Sequence, residues 1–113
     1  MLRISQLIMT GIAVIFASHA AAVCPYPQEV EVPNGATSTT EEMVAGEARV
    51  KQYMAEMETY LACLDNEEAD LGRKPTDGEV QMRNQRHNAA VDAMETTAAA
   101  YNEQVRMYKK LKR

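Results

Sequence analysis

The two cysteines are the residues of this sequence whose type and placement point most directly to chemistry. Cys24 opens a proline-rich stretch, and Cys63 lies inside a long helix-forming stretch. Two cysteines in an oxidising compartment are expected to form one disulfide. They are not spaced as Cys-x-x-Cys, and no nearby group in the sequence clearly lowers a thiol pKa. A structural disulfide within the chain is therefore favoured over a redox pair, and a disulfide between two chains stays open as an alternative.

Methionine offers a second chemistry. Met54 and Met57 lie one helical turn apart in "MAEM", and two thioethers at that spacing suit Cu(I) in an oxidising compartment. A methionine stripe at helical spacing is more often core, because the thioether fills irregular gaps. We therefore predict no metal site and no cofactor, and keep Cu(I) handling at these two residues as an alternative.

His87 is the only histidine beyond the N-terminal leader. Catalysis would need a nucleophile or carboxylate oriented toward it. Asp92 falls off the same helix face, and Glu67 and Asn84 form no recognised catalytic set with it. The sequence thus predicts no catalytic residue and no enzyme. One hypothesis remains: His87 titrates near pH 6 to 7 and loosens the helix packing when charged, which an unchanged pH dependence of melting in His87→Gln would refute.

The C-terminal segment "RMYKKLKR" is strongly basic. Cations at a helix C-terminus suit the helix dipole, and we expect them to pair with Glu41, Glu42 and Glu47. Contact with an anionic surface, such as lipid or cell-wall polymer, is the alternative. The residues concerned are Arg106, Lys109, Lys110, Lys112 and Arg113.

The first 22 residues have the pattern of a signal peptide: one positive charge, a short apolar run and small residues before Val23. We expect cleavage after Ala22, or after Ala20, and no membrane span in the mature chain. Lipidation of Cys24 is disfavoured because Val23 precedes it. The mature protein would have about 91 residues and a net charge of about −5, which argues against nucleic-acid binding.

These residues must be positioned by a proline-rich arm and two helices. Residues 23–38 contain three prolines and a turn signal and are predicted to be extended. Residues 39–113 are predicted to form a helical hairpin with a helix at 39–71, a loop at 72–76 and a helix at 77–112. Ser38 or Thr39 is the expected cap of the first helix, and Thr76 caps the second.

Both helices carry apolar residues at coiled-coil spacing. Because the loop is short, they should pack antiparallel, as a coiled-coil-like hairpin of the all-α class. Self-association into a dimer is a further expectation for so small a core. The first seam comprises Met43, Gly46, Val50, Tyr53, Met57, Tyr60, Leu64, Glu67 and Leu71. The second comprises Val80, Asn84, His87, Val91, Met94, Ala98, Tyr101, Val105 and Tyr108.

Chain length allows the arm to reach back to Cys63. From Thr39 to Cys63 a helix spans about 36 Å, and the arm from Cys24 to Thr39 covers about 46 Å at the polyproline rise. The arm should therefore run back along the first helix as a third layer, with Tyr26, Val30 and Val32 in a groove of the hairpin. We expect its close approach along a track of small residues seven apart, namely Ala48, Ala55, Ala62 and Ala69.

Several of these residues carry a family resemblance. The pattern runs Cys24-Pro-x-Pro, Val32-Pro33-x-Gly35, Glu42-Met43, Val50-Lys51-x-Tyr53 and Met57-x-x-Tyr60-Leu61-x-Cys63-Leu64. It resembles a group of small uncharacterised secreted proteins of proteobacteria, with the likeness strongest over the arm and the first helix. The resemblance implies a secreted or periplasmic, disulfide-bonded helical protein and implies no activity.

The sequence as a whole predicts a non-enzymatic protein of the periplasm or the exterior, with a structural or protein-interaction role in the cell envelope. A small holdase chaperone is the first alternative, and Cu(I) handling is the second. The partner is expected to be a protein or a second copy of the chain.

Overall fold

The protein is an antiparallel hairpin of two helices with an extended N-terminal arm. The computed structural model describes residues 24–112; the predicted signal peptide at 1–22 lies outside them, as do Val23 and Arg113. Helix α1 spans Thr40–Asp70 and helix α2 spans Asp77–Leu111, against predictions of 39–71 and 77–112. Over residues 24–112 no strand is present. The all-α hairpin with a disulfide-tied arm is confirmed.

Each helix begins with a capping box. The Thr39 hydroxyl accepts a hydrogen bond from the Glu42 amide at 3.2 Å, and the Glu42 carboxylate accepts one from the Thr39 amide at 2.8 Å. Thr76 and Glu79 form the same pair at 3.2 and 3.1 Å. Each pair satisfies amide donors that the first turn leaves without helical partners. Of the two predicted caps, Thr39 is the one used.

The loop between the helices lies where the sequence predicts it. Leu71 caps the C-terminus of α1, and Gly72 takes a left-handed backbone angle, φ 64°. A side chain there would be strained, and glycine avoids that cost. Helix α2 begins five residues later, so the chain reverses direction within a short loop.

Helix α1 buries one face, and that face is the predicted seam. The two most enclosed large side chains are Met57 and Leu64. A seven-residue apolar repeat keeps one stripe of a helix in contact with its neighbour along its whole length. The buried residues of α1 are Met43, Gly46, Val50, Tyr53, Met57, Tyr60 and Leu64.

Helix α2 packs differently from its prediction. Its one buried residue is Ala90, which was not assigned to the seam, and the predicted seam residue Asn84 is exposed. At that end of α2, the half-buried Arg83 and Arg86 point their guanidinium groups at the acidic end of α1. The ion-paired side chains of Arg83 and Arg86 therefore occupy the inward-facing position that was predicted for Asn84.

Hydrogen bonds fix how the helices are aligned. The Tyr101 hydroxyl donates to the Met43 carbonyl at 3.0 Å, and the Tyr108 hydroxyl is hydrogen-bonded to the Thr40 hydroxyl. Since Thr40 begins α1 and Tyr108 lies in the last turn of α2, these contacts close the hairpin at the end opposite the loop.

Candidate functional site: the tied arm and the loop-end cleft

A disulfide ties the start of the arm to the middle of the hairpin. Cys24 and Cys63 are bonded within one chain, with Cα atoms 5.7 Å apart and a sequence separation of 39. Both residues are half-buried. The predicted intrachain disulfide is confirmed, and the arm forms a layer against the helices.

Aromatic and apolar contacts seat the tip of the arm. The rings of Tyr26 and Tyr60 meet edge to face, with centroids 5.1 Å apart and planes at 81°, an arrangement that aromatic quadrupoles favour. Burial, and then the nearby Tyr53, raise the pKa of the Tyr26 phenol. Val30 packs against the central core cluster, which contains Tyr53, Met57 and Tyr60. The tip therefore covers core residues of α1.

The base of the arm touches both helices. Pro33 lies against Gly46 of α1, where an added Cβ would come within 2.7 Å of the Pro33 Cδ. The Gly35 amide donates to the Gln104 side-chain carbonyl of α2 at 2.8 Å. A side chain at Gly35 would also collide with the backbone of Gln104. The Gln104 backbone at Gly35 and the Pro33 ring at Gly46 thus lie too close to leave room for a Cβ.

Asn34 turns the chain from the arm into α1. Its carbonyl accepts hydrogen bonds from the amides of Thr37 and Ser38, at 3.2 and 2.9 Å. Its side-chain oxygen accepts from the Ala36 amide at 2.9 Å. Asparagine favours such turns because its side chain replaces a backbone acceptor.

The arm runs antiparallel to α1 in the groove between the helices, and not along the predicted alanine track. Ala48, Ala55, Ala62 and Ala69 are all exposed. The track lies on the outer surface of α1, where it offers one wall. In the groove an extended segment contacts both helices, so more of its apolar surface is removed from water.

The pitch of the arm is close to polyproline. From the Cys24–Cys63 contact to the Pro33–Gly46 contact, the arm advances by nine residues while the facing part of α1 covers seventeen. Those seventeen residues span about 26 Å at ~1.5 Å each. Each arm residue therefore advances about 2.8 Å, near the ~3.1 Å rise of polyproline II.

The predicted thioether pair is built into the packing. Met57 is 0% exposed, and Met54 is half-buried at the edge of the core. A Cu(I) ion would draw Met57 out of the core. The alternative stays a prediction, and absence of Cu(I) binding by the wild type, compared with Met54→Leu/Met57→Leu, would end it.

His87 is half-buried on α2. Its two candidate catalytic neighbours have other surroundings. Asn84 is exposed to solvent, and the Glu67 carboxylate lies 2.9 Å from the Arg86 guanidinium. The structure assembles no catalytic set from these three residues. Among residues 24–112, no group of three or more His, Cys, Asp or Glu could hold a metal ion.

The basic tail takes other partners than those predicted. Arg106 pairs with Glu103 on its own helix, and the Lys112 ammonium lies 5.8 Å from the centre of the Tyr108 ring. Glu47 pairs with Lys51 at 2.8 Å. Lys109 and Lys110 are exposed in the last turn of α2, where they complement the helix dipole. Arg113 lies outside the described residues.

The hairpin opens into a cleft at its loop end. The cleft has a volume of about 690 Å³ and an apolar lining that includes Leu64, Leu71, Pro75 and Met82. Met82 is 57% exposed. Exposed apolar surface gathered in a concave site is typical of places where a partner binds. Sequence periodicity did not indicate this cleft, because it depends on how far the helices separate beside the loop.

Ion pairs frame the cleft. Arg83 pairs with Asp65, and its Nε lies 2.9 Å from the Glu68 carboxylate. Arg86 Nη1 lies 2.9 Å from the Glu67 carboxylate, and its Nε donates to the Tyr60 hydroxyl at 3.3 Å. The acidic end of α1 thus lies against these two arginines. The pairs leave an apolar floor with a charged rim in which four carboxylates outnumber two guanidinium groups.

Arg73 secures the loop side of the cleft. Its guanidinium meets the Glu79 carboxylate through two hydrogen bonds, at 2.7 and 3.1 Å. Arg73, together with the capping contacts from Thr76, lowers the pKa of Glu79 to about 2. The same carboxylate thus caps α2 and anchors the loop.

No protein-family model, curated protein or solved structure matches the chain. Within residues 24–112, neither helix is apolar enough over a sufficient length to cross a membrane.

Proposed function

We propose that the protein is a non-enzymatic interaction protein of the periplasm or the cell exterior, with its role in the cell envelope. The observation that carries the proposal is the Cys24–Cys63 disulfide, which ties the arm into the fold. Disulfides form and persist in oxidising compartments and are rare in the cytosol. The signal-peptide pattern of the sequence supports the same compartment.

The loop-end cleft supports the interaction role. It combines an apolar floor, including Leu71 and Met82, with the ion-paired Arg83 and Arg86 at its rim. Protein interfaces commonly have this anatomy, with apolar side chains at the centre and charged groups around them. The partner would be a protein that inserts an apolar side chain between the two helix ends.

Site-specific photocrosslinking tests this function. A photoreactive amino acid replaces Met82 in one variant and Val44 in another. Both residues are similarly exposed, at 57% and 60%, and Val44 lies at the far end of α1. We expect an envelope protein to crosslink at position 82, to be lost on Leu71→Ser, and not to crosslink at position 44. Equal labelling at both positions, or retention of the protein in the cytoplasmic fraction, would contradict the proposal.

A holdase chaperone is the second candidate, and the position of the arm favours it. The arm covers Tyr53, Met57 and Tyr60 and is tied by one covalent bond. Release of the arm would expose an apolar surface to unfolded clients. Light scattering by an aggregating client distinguishes the two functions: a holdase suppresses it in reductant and not in oxidant, whereas a protein that acts through the cleft alone suppresses it in neither.

A further inference from the structure

The groove beneath the arm has the features of a peptide-binding site. We define the arm groove by Gly46, Tyr53 and Tyr60 of α1 and by Ala93, Thr97 and Gln104 of α2. We propose that the arm groove binds an extended, proline-containing segment of a partner protein in place of the arm, and that the Cys24–Cys63 disulfide controls access to it. The site is separate from the loop-end cleft and does not depend on the partner proposed for that cleft.

The backbone of the bound segment must be extended. The arm advances about 2.8 Å per residue, close to polyproline II. Its Gly35 amide is recognised by the Gln104 side chain at 2.8 Å. Proline-rich segments suit such grooves because they lose little conformational entropy on binding. The groove thus fits a segment that is already extended when free.

Two subsites define the side chains that the groove accepts. At one, Tyr60 meets the Tyr26 ring edge to face, and Tyr60 is itself held by Arg86, whose guanidinium carbon lies 5.9 Å from the ring centre. At the other subsite Gly46 has no side chain, and the Pro33 ring occupies the space that a Cβ would take. The proposed segment therefore carries a proline at the Gly46 subsite and, seven residues before it, an aromatic residue that contacts Tyr60 edge-on while remaining partly exposed, as Tyr26 does at 53%.

The disulfide keeps the arm in its groove. A segment tethered at both ends competes at a high effective concentration, so an outside peptide is excluded while the bond is intact. Cys24 and Cys63 are each partly exposed, and the reductant in this proposal is a dithiol. One thiolate of the dithiol attacks a sulfur of the Cys24–Cys63 bond and the other sulfur leaves as a thiolate. The second thiol then resolves the mixed disulfide, so the protein gains two thiols and the dithiol becomes a disulfide.

Fluorescence anisotropy with the arm's own sequence tests the proposal. The probe is a labelled peptide with the sequence of residues 25–36. It is titrated with the oxidised wild type and with a full-chain variant whose arm is weakened by Cys24→Ser, Tyr26→Ser and Pro33→Gly. These substitutions leave the groove walls unchanged. We expect the opened variant to bind the peptide at least about tenfold more tightly than the oxidised wild type.

Two matched variants locate the binding. In the opened variant, Gly46→Ala should weaken peptide binding by about tenfold or more, because its methyl group would overlap the peptide's proline. Gly78→Ala should leave binding unchanged, since a Cβ at Gly78 meets nothing within 4 Å. A peptide with serine in place of Tyr26 and glycine in place of Pro33 should not bind.

Three results would overturn the proposal. The first is equal affinity for the oxidised wild type and the opened variant. The second is equal affinity for the Gly46→Ala and Gly78→Ala forms. The third is loss of the hairpin's helical circular dichroism in the opened variant, because it would mean that the groove does not exist without the arm. None of these results bears on photocrosslinking at Met82, so this proposal and the cleft interaction fail separately.

Discussion

Pro33 of the arm rests directly on Gly46 of α1, so closely that a methyl group on Gly46 would come within 2.7 Å of the proline ring. Gly46 is a buried seam residue near the start of α1, although glycine disfavours helix. The close contact explains why a residue with poor helix propensity occupies this position. It also gives the most selective test of where the arm lies.

Gly46→Ala should destabilise the protein, and Gly78→Ala should stabilise it. Alanine gains about 0.5–1 kcal/mol over glycine in a helix, but at position 46 the overlap with Pro33 costs about 1–3 kcal/mol. Position 78 has open space. Urea unfolding followed by circular dichroism measures both variants. Stabilisation by Gly46→Ala equal to that by Gly78→Ala would mean that Pro33 does not rest on Gly46.

Removing the disulfide should lower the free energy of unfolding by about 4 kcal/mol, the chain-entropy value for a closed loop of this length. The variant is Cys24→Ser/Cys63→Ser, which avoids leaving a free thiol. Its unfolding is compared with that of the wild type with and without reductant. The wild type in reductant should resemble the variant. A loss below about 1 kcal/mol would show that the arm adds little to the folded state.

The alignment of the helices can be tested at Tyr101. Its hydroxyl donates to the Met43 carbonyl in a half-buried contact, so Tyr101→Phe should cost about 1 kcal/mol. Tyr108→Phe serves as the control, because its partner Thr40 is exposed and water replaces the lost bond. An unchanged free energy of unfolding in Tyr101→Phe would contradict this alignment of the helix ends.

Acid should weaken the loop through Glu79. Its pKa falls from 4.5 to about 2 in the folded protein, with Arg73 as the largest cause. A carboxylate whose folded pKa is depressed stabilises the protein above its unfolded pKa, and that stability is lost as the pH falls toward the folded pKa. The melting temperature of the wild type should therefore decline between pH 4.5 and about 2.

Two variants isolate this effect. Glu79→Gln should flatten the decline of the melting temperature in that pH window, because the titrating group is gone. Glu58→Gln, at an exposed position on α1, should leave the decline as in the wild type. An identical pH profile for Glu79→Gln and the wild type would mean that the Arg73–Glu79 contact is not formed in solution.

The core face of α1 was predictable because the pattern is simple. Met57 and Leu64 belong to an apolar repeat every seven residues, and Tyr53 and Tyr60 interleave with it. Helix α1 meets both α2 and the arm with this one mostly apolar stripe, so its buried face is visible in the sequence as a single repeat. The capping residues Thr39 and Thr76 were equally visible, because a capping box has a fixed spacing.

Helix α2 was less predictable because one of its two inward-facing stripes is mostly polar. In addition to the seam, it buries or half-buries a second stripe at seven-residue spacing: Arg83, Ala90, Thr97 and Gln104. Three of these four residues are polar, so a count of apolar residues does not detect them. Their common spacing was the available signal. It becomes meaningful once Gly35 is seen against Gln104.

Neither the path of the arm nor the loop-end cleft could be predicted from the sequence. Chain length showed that Cys24 reaches Cys63 but did not choose between the alanine track and the groove. That choice depends on Pro33 and Gly46 fitting together in three dimensions. The cleft depends on how the side chains of Leu71 and Met82 line the space beside the loop, which no periodicity encodes.

The central claim is that the arm is tied back within one chain. The most direct measurement is the native mass of the protein, purified from an oxidising compartment, before and after reductant. We predict a monomer that gains about 2 Da on reduction, as one disulfide becomes two thiols. A dimer that reductant splits into monomers would show that Cys24 and Cys63 join two chains, and would contradict the account.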